Sequence, residues 1–232
     1  GLADTTRAVA AAGGREALAV RTDVAVLADV QALADRVAAR AGAVDILCNN
    51  AGVVVHGGLE RATHQDWQWL VGVNLWGVVH GLLAFLPGMI ARGGGGHVLN
   101  TASMAGLIAS QGLGVYNTTK YAVVGLSETL AKDLRPYGIG VSVLCPMGVA
   151  TRIREAERTR PPGLQNPAPA GLGETPPAEV TLIGRTLSAE RVAAQALSAI
   201  RAGELYVITH DEALEAVRRR FQRIEAAATA QP

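Results

Sequence analysis

Short apolar, β-branched runs alternate along most of the chain with longer stretches whose apolar residues recur at helical spacing. The strand-like runs are EALAVRTDV (16–24), VDILCNN (44–50), GHVLNTAS (96–103), GVSVLCP (140–146) and LYVITH (205–210). Between them, ADTTRAVAAA (3–12), VLADVQALADRVAARAG (26–42), the stretch from about 64 to 91, the stretch from Tyr116 to about 136 and SAERVAAQALSAIRAG (188–203) read as helices. A charged helix from Asp211 to about Ala227 closes the chain. Apolar strands of this length alternating with longer helices predict βαβ units and a parallel sheet covered on both faces. The expected fold is α/β, a doubly wound parallel sheet in a single domain over 1–232, with ligands received at the carboxyl ends of the strands.

One stretch breaks the rhythm. Residues 159–187, TRPPGLQNPAPAGLGETPPAEVTLIGRTL, are rich in Pro and Gly, too long for an ordinary connection, and follow a strand at the ligand-binding edge. Such loops act as lids, and closure over a bound ligand is the expectation here. The apolar run LVGVNLWGVVHGLLAFLPGMI approaches membrane-spanning length, but it holds Asn74, His80 and Pro87 and reads as a buried helix of a soluble core.

Composition narrows the partners. The 232 residues are 49% hydrophobic and 18% charged with a formal net charge of +1, which argues against disorder and gives no electrostatic reason to expect nucleic acid. Cys48 and Cys145 each end an apolar run and read as buried thiols of a reducing, cytoplasmic compartment. The five histidines show no metal-ligand spacing. Arg152, Arg154, Arg158 and Arg160 could meet an acidic substrate but read first as a solvated helix face.

The candidate chemistry lies in Tyr116 and Lys120, with Ser103 upstream at the end of a strand. Residues i and i+4 share a helix face, so a phenol and an ammonium converge on one spot. A fixed cation stabilises a phenolate and is expected to lower the phenol pKa toward the range of efficient proton transfer. A serine hydroxyl from a neighbouring strand end can hold a carbonyl or alcohol oxygen. The pair alone is weak evidence, and its context carries the argument.

With TDV at 22–24, NNAG at 49–52, VNLWG at 73–77, TAS at 101–103, YNTTK at 116–120 and CPMGVAT at 145–151 in that order, the chain resembles the short-chain dehydrogenase/reductase family from about residue 3 to 210. The resemblance implies a Rossmann-like, three-layer αβα domain that binds NAD or NADP and interconverts a secondary alcohol and its ketone. It implies Tyr116 as general acid/base, with Lys120 lowering its pKa and holding the nicotinamide ribose. Ser103 would bind the substrate oxygen, and Asn74 would anchor a water beside Lys120. Asp23 and Val24 would border the adenine, although Asp23 could equally cap the following helix. Asn50, Ala51 and Gly52 would lead past the cofactor, and Pro146, Val149 and Thr151 would fix the nicotinamide carboxamide. Val53, Val54, Val55, Leu107, Leu113 and Met147 would form an apolar wall for a hydrophobic small-molecule substrate, with no nucleic-acid or membrane partner.

Two departures matter. Met147 intervenes between Pro146 and Gly148, where the family usually reads Pro-Gly, and is expected to fold back as substrate wall. The family's opening strand, Gly-rich turn, helix and second strand have no counterpart, since the tetraglycine at 93–96 follows a helix and precedes a strand, the wrong order for a phosphate cradle. The chain therefore reads as a fragment of a longer enzyme lacking the first strand–helix–strand unit. The alternative is a catalytically inactive scaffold or oligomer subunit unable to bind the dinucleotide. A homo-oligomer, tetramer or dimer, is expected through the helices 64–91 and 116–136, with Trp67, Trp69, Leu70, Trp76, Val123, Leu126 and Leu130 as surplus apolar surface.

Overall fold

The computed structural model describes residues 2–14, 17–166 and 184–229. Four parallel strands form one sheet in sequence order: β1 (Ile46–Asn49), β2 (Gly96–Thr101), β3 (Ile139–Cys145) and β4 (Tyr206–Ile208). Around it lie α1 (Leu2–Ala11), α2 (Leu27–Ala41), α3 (His64–Leu70), α4 (Gly77–Arg92), α5 (Gly114–Asp133), α6 (Ala189–Ala202) and α7 (Leu214–Thr229). A π-turn, Val71–Trp76, joins α3 to α4 without breaking the helical rod. The two-residue period of the strands sets the layers. Val141, Val143 and Cys145 of β3 pack with residues of α4 and α5, whereas Leu144 packs with Val192, Ala196 and Ala199 of α6.

A buried polar relay fixes how α5 sits on the sheet. Asn49 Nδ2 donates to Asn100 Oδ1 at 2.9 Å, Asn100 Nδ2 donates to Ser127 Oγ at 3.0 Å, and Ser127 Oγ donates to Val123 O at 2.7 Å. Asn100 and Ser127 have no exposed surface, so slipping α5 by one residue would leave these groups unpaired at about 1–3 kcal/mol each. Close approach of α4 needs Gly81, because a Cβ there would fall 2.1 Å from Asn49 Oδ1.

Three expectations are corrected. Residues 17–24 form no strand, since a strand persists only through its ladder and β1 pairs with β2 alone. The segment docks on helices instead: His80 Nδ1 donates to Val24 O at 2.8 Å, and a Cβ at Gly77 would fall 2.9 Å from the Val24 side chain. Second, α6 packs chiefly on β3 and β4, and Ile46 and Cys48 of β1 are exposed. The expected burial of Cys48 fails for that reason, while Cys145 is fully buried. Third, Trp69, Leu70 and Val123 belong to the core rather than to a surplus surface, whereas Trp76 and Leu83 are half exposed.

The 64–91 helix is as long and apolar as a membrane span, yet it carries the buried polar residues Asp66, Asn74 and His80 and packs on α2, α5 and β1. The excursion at 159–187 is described only at its ends, 159–166 and 184–187. The expected lid falls mainly on 167–183 and lies outside the described residues.

Candidate active site

The first turns of α5 carry Tyr116 and Lys120 to the carboxyl ends of β2 and β3, and both side chains are buried. Ser103 follows the end of β2 and caps a short turn, Met104–Gly106, by accepting from Ala105 N at 3.1 Å. That turn seats directly on α5, since a Cβ at Gly106 would fall 2.5 Å from Lys120 O. The Ser103 hydroxyl lies beside the Tyr116 phenol and donates to Pro146 O at 3.3 Å. Lys120 Nζ lies 5.6 Å from the Tyr116 ring centroid and donates to Thr101 O at 2.8 Å. The sequence-predicted trio is therefore assembled.

Its electrostatics differ from the sequence expectation. Burial pushes the Tyr116 phenol above its ordinary pKa, and the neighbouring Ser103 hydroxyl opposes this. Burial also lowers Lys120 to about 8. The Lys120 ammonium has three donors and a single carbonyl acceptor at hand. In the bare protein desolvation thus outweighs the expected depression of the phenol by its cationic neighbour.

Asn74 sits in the π-turn with no exposed surface, and the Gly77 N–H reaches back five residues to Gly72 O. Its amide is engaged by protein: Oδ1 accepts from Val53 N at 2.8 Å, and Nδ2 donates to Val53 O at 3.0 Å and to Thr119 Oγ1 at 3.1 Å. The side chain ties the Asn50–Val53 turn to α5 beside Lys120. Gly52 lies between the two, where an added Cβ would stand 3.5 Å from both Asn74 Oδ1 and Lys120 Nζ. Thr101 Oγ1 donates to Asn50 Oδ1 at 2.9 Å and holds the turn to β2.

Two cavities meet at Ser103 and Tyr116. The larger, about 890 Å³, is lined by Asn50, Ala51, Gly52, Lys120, Pro146, Val149 and Thr151 and runs on between the sheet and α6. The smaller, about 370 Å³, is walled by Val54, Leu113 and Met147 with Met104, Ile108 and Ile153. Met147 borders both, as expected, and Val53 lines the larger cavity, whereas Val55 and Leu107 border neither. Asp23 and Val24 are not brought to either cavity. Asp23 Oδ1 accepts from Ala25 N at 2.9 Å, in the turn that leads into α2. The tetraglycine lies at the amino end of β2, the opposite end of the sheet from the site.

Sequence reasoning missed two things. The first is His210, which is fully buried. Its Nε2 donates to Gly148 O and Arg185 O, both at 3.1 Å, and Nδ1 faces the Thr209 hydroxyl at 2.6 Å. It clamps the Pro146–Val149 turn to the returning chain, where Leu187 N also donates to Gly148 O at 2.9 Å. The carboxyl-end position of LYVITH was the available signal. The second is Arg160, which is buried, whereas Arg152, Arg154 and Arg158 are exposed as expected, Arg158 at the rim of the larger cavity and Arg154 at that of the smaller.

A family model described as short chain dehydrogenase matches residues 2–162. The chain is 35% identical over 192 residues to a C alpha-dehydrogenase from a Sphingobium species, covering 82% of this chain and 63% of that protein. It is 30% identical over 220 residues to a CLA biosynthesis dehydrogenase/reductase from Lactiplantibacillus plantarum, covering 91% of this chain and 76% of that protein. The first of these relatives is thus spanned over less than two thirds of its length. The crystal structure of a short chain dehydrogenase/reductase from Burkholderia phymatum in complex with NAD superposes with a TM-score of 0.87 at 41% identity, over 97% of this chain and 82% of that one. A gluconate 5-dehydrogenase from Burkholderia cenocepacia in complex with NADP and tartrate gives 0.62 at 36% identity, over 66% of this chain and 60% of that one.

Proposed function

The chain belongs to the short-chain dehydrogenase family, and we propose that it carries the reacting end of an NAD(P)-dependent oxidoreductase that interconverts a secondary alcohol and its ketone. The observation that carries this reading is the buried Tyr116 phenol, beside Ser103 and flanked by the Lys120 ammonium, where two cavities meet. One cavity suits a cofactor and the other a substrate. The larger fits a nicotinamide ribose on its own chemistry: Lys120 lines it with donors beyond the one given to Thr101 O, and ribose hydroxyls are acceptors that would satisfy them. Asn50, Gly52, Pro146, Val149 and Thr151 would hold the cofactor's flanks. A nicotinamide held there would supply a hydride, hydrogen with its electron pair, for the carbonyl carbon, or take one up from the alcohol.

The protein's own part is to hold an oxygen and move one proton. Ser103 and Tyr116 grip the substrate oxygen, and in reduction the Tyr116 O–H passes its proton to that oxygen as the C=O π pair moves onto it. Lys120, poised near 8, balances the phenolate that remains and returns a proton from solvent. Neighbouring apolar walls exclude water from the reacting carbon.

Tyr116→Phe tests the assignment, because the ring stays and only the hydroxyl is lost. With nicotinamide absorbance as the readout and a panel of apolar ketones, kcat is expected to fall about 10²–10⁴-fold at unchanged cofactor affinity. Retention of more than roughly a tenth of the wild-type kcat removes Tyr116 from this role.

A further inference from the structure

Four arginines crowd the chain just after β3, and three have carboxylate partners. Arg152 and Arg158 share Glu155 at 2.8 and 3.8 Å, and Arg160 is buried against Asp66. Arg154 has no carboxylate partner among the described residues. It borders the smaller cavity, where His56 also sits. Burial lowers the proton affinity of His56, and the Arg154 charge lowers it further, so the two groups are close enough to repel when both are charged. Glu212, the carboxylate of this cavity, faces the Arg185 guanidinium at 3.6 Å and accepts from the Arg185 backbone N–H at 3.3 Å, although that guanidinium lies closer to Asp211, at 3.0 Å. The remaining walls are mostly apolar. An arginine with no carboxylate partner among the described residues, beside an imidazole at the edge of an apolar pocket that ends on Ser103 and Tyr116, can receive one anion.

We infer that the substrate is an apolar alcohol or ketone bearing a single carboxylate, with its reacting oxygen at Ser103 and Tyr116 and its carboxylate on Arg154 and His56. This rests on the oxidoreductase reading above. A cavity of about 370 Å³ falls within the size range of small-molecule sites. Arg154 offers the planar fork that matches a carboxylate in two parallel hydrogen bonds. A monoanion suits the charge count better than a phosphate dianion. Arg154 is the arginine of the lining, His56 is held toward its neutral form, and the Glu212 carboxylate on the same wall opposes any negative charge beyond the one that the guanidinium answers.

The test has one arm without chemistry and one with it. In calorimetry on the intact protein, decanoate is expected to bind roughly ten- to hundredfold more tightly than decanol, the difference of one charged hydrogen-bonded contact. Arg154→Gln should erase that difference, and Arg154→Lys, which keeps the charge and loses the fork, should restore part of it. Decanoate should also raise the His56 pKa in an NMR titration, because a bound carboxylate reverses the sign of the charge beside the imidazole. In turnover, a keto acid and its methyl ester are compared by their ratio of kcat/KM, which should favour the acid in the wild type and fall at least about tenfold in Arg154→Gln. Turnover of acid and ester with equal efficiency overturns the carboxylate inference and leaves the oxidoreductase reading standing. Turnover of neither overturns the oxidoreductase reading, and the decanoate arm then decides the anion site alone. Equal binding of decanoate and decanol, with the His56 titration unmoved, overturns the site.

Discussion

Two buried cations, Lys120 in the active cleft and Arg160 outside its lining, are treated in opposite ways. Arg160 is surrounded by partners: Asp66 Oδ1 at 2.5 Å, Leu164 O at 2.7 Å, Glu157 Oε1 at 3.1 Å, Asn166 Oδ1 at 3.2 Å and the face of Trp69 at 4.9 Å. Lys120 is equally buried and has one carbonyl and the flank of a tyrosine ring. A buried charge is tolerated when each donor is answered. Arg160 meets that condition and rivets the chain after β3 to α3. Lys120 does not, and its unanswered donors line the cofactor-sized cavity. Full satisfaction marks a structural ion here, and deliberate under-satisfaction marks a functional one.

Breaking the satisfied ion should have the larger effect on stability. Asp66 is a buried carboxylate, which burial alone would raise, yet hydrogen bonds from Thr63, Arg160 and Asn166 hold it below the usual carboxylate range. Asp66→Ala strands the Arg160 guanidinium and is expected to destabilise the fold by about 3–5 kcal/mol, read from denaturant midpoints. A carboxyl pKa depressed by folding stabilises above the unfolded value and loses that contribution as pH falls through the folded one. Wild-type stability should therefore drop on acidification below about pH 4, and the variant should lose that part of the acid limb. A loss under about 1 kcal/mol would mean that Arg160 is not the rivet described.

The unsatisfied ion should respond with the opposite sign. Lys120→Met keeps the length and removes the charge, so the protein is expected to become more stable near neutral pH, by up to about 3 kcal/mol, while turnover disappears. In the wild type, folding lowers the Lys120 pKa from 10.5 to about 8. Between these values the unfolded chain binds more protons than the folded one, so this lysine makes stability rise with pH across that window. Below about 8 both states hold the proton and the full penalty stands. Lys120→Met should flatten that alkaline rise, and a variant no more stable than wild type at pH 7 would contradict the picture of an unanswered charge.

The contrast also explains what could be read in advance. Tyr116, Lys120 and Ser103 were legible because helix spacing and a strand end are local patterns, and every described strand and helix carried its own periodicity. Residues 17–24 misled because strand character is local while a ladder is not. Arg160 looks no different from its neighbours in TRIREAERTR, since its burial depends on Asp66, 94 residues earlier. One hint lay in the sequence: Thr63 followed by Asp66 is a helix capping box, which the structure forms and which places the carboxylate. The pKa of Tyr116 was misjudged because a neighbouring charge can be seen in sequence and the depth of burial cannot.

The smallest expected effect concerns His210, whose partners are answered like those of Arg160 but whose position serves the cleft like Lys120. Its Nε2–H is shared by Gly148 O and Arg185 O, carbonyls 62 and 25 residues away, and it braces the turn that bears Pro146, Val149 and Thr151. His210→Leu keeps much of the volume and leaves both carbonyls without this donor, a penalty of about 1–3 kcal/mol. Part of that penalty should appear as lower thermal stability and part as a looser cofactor site. The KM for the nicotinamide cofactor is then expected to rise roughly tenfold with a smaller change in kcat, because the proton-moving trio stands on other elements. His210→Gln, whose amide can still donate to one carbonyl, should recover part of the cofactor affinity. A loss of stability with the cofactor KM unmoved would reduce His210 to a core residue, and an equal fall in kcat and kcat/KM would place it in the chemical step instead.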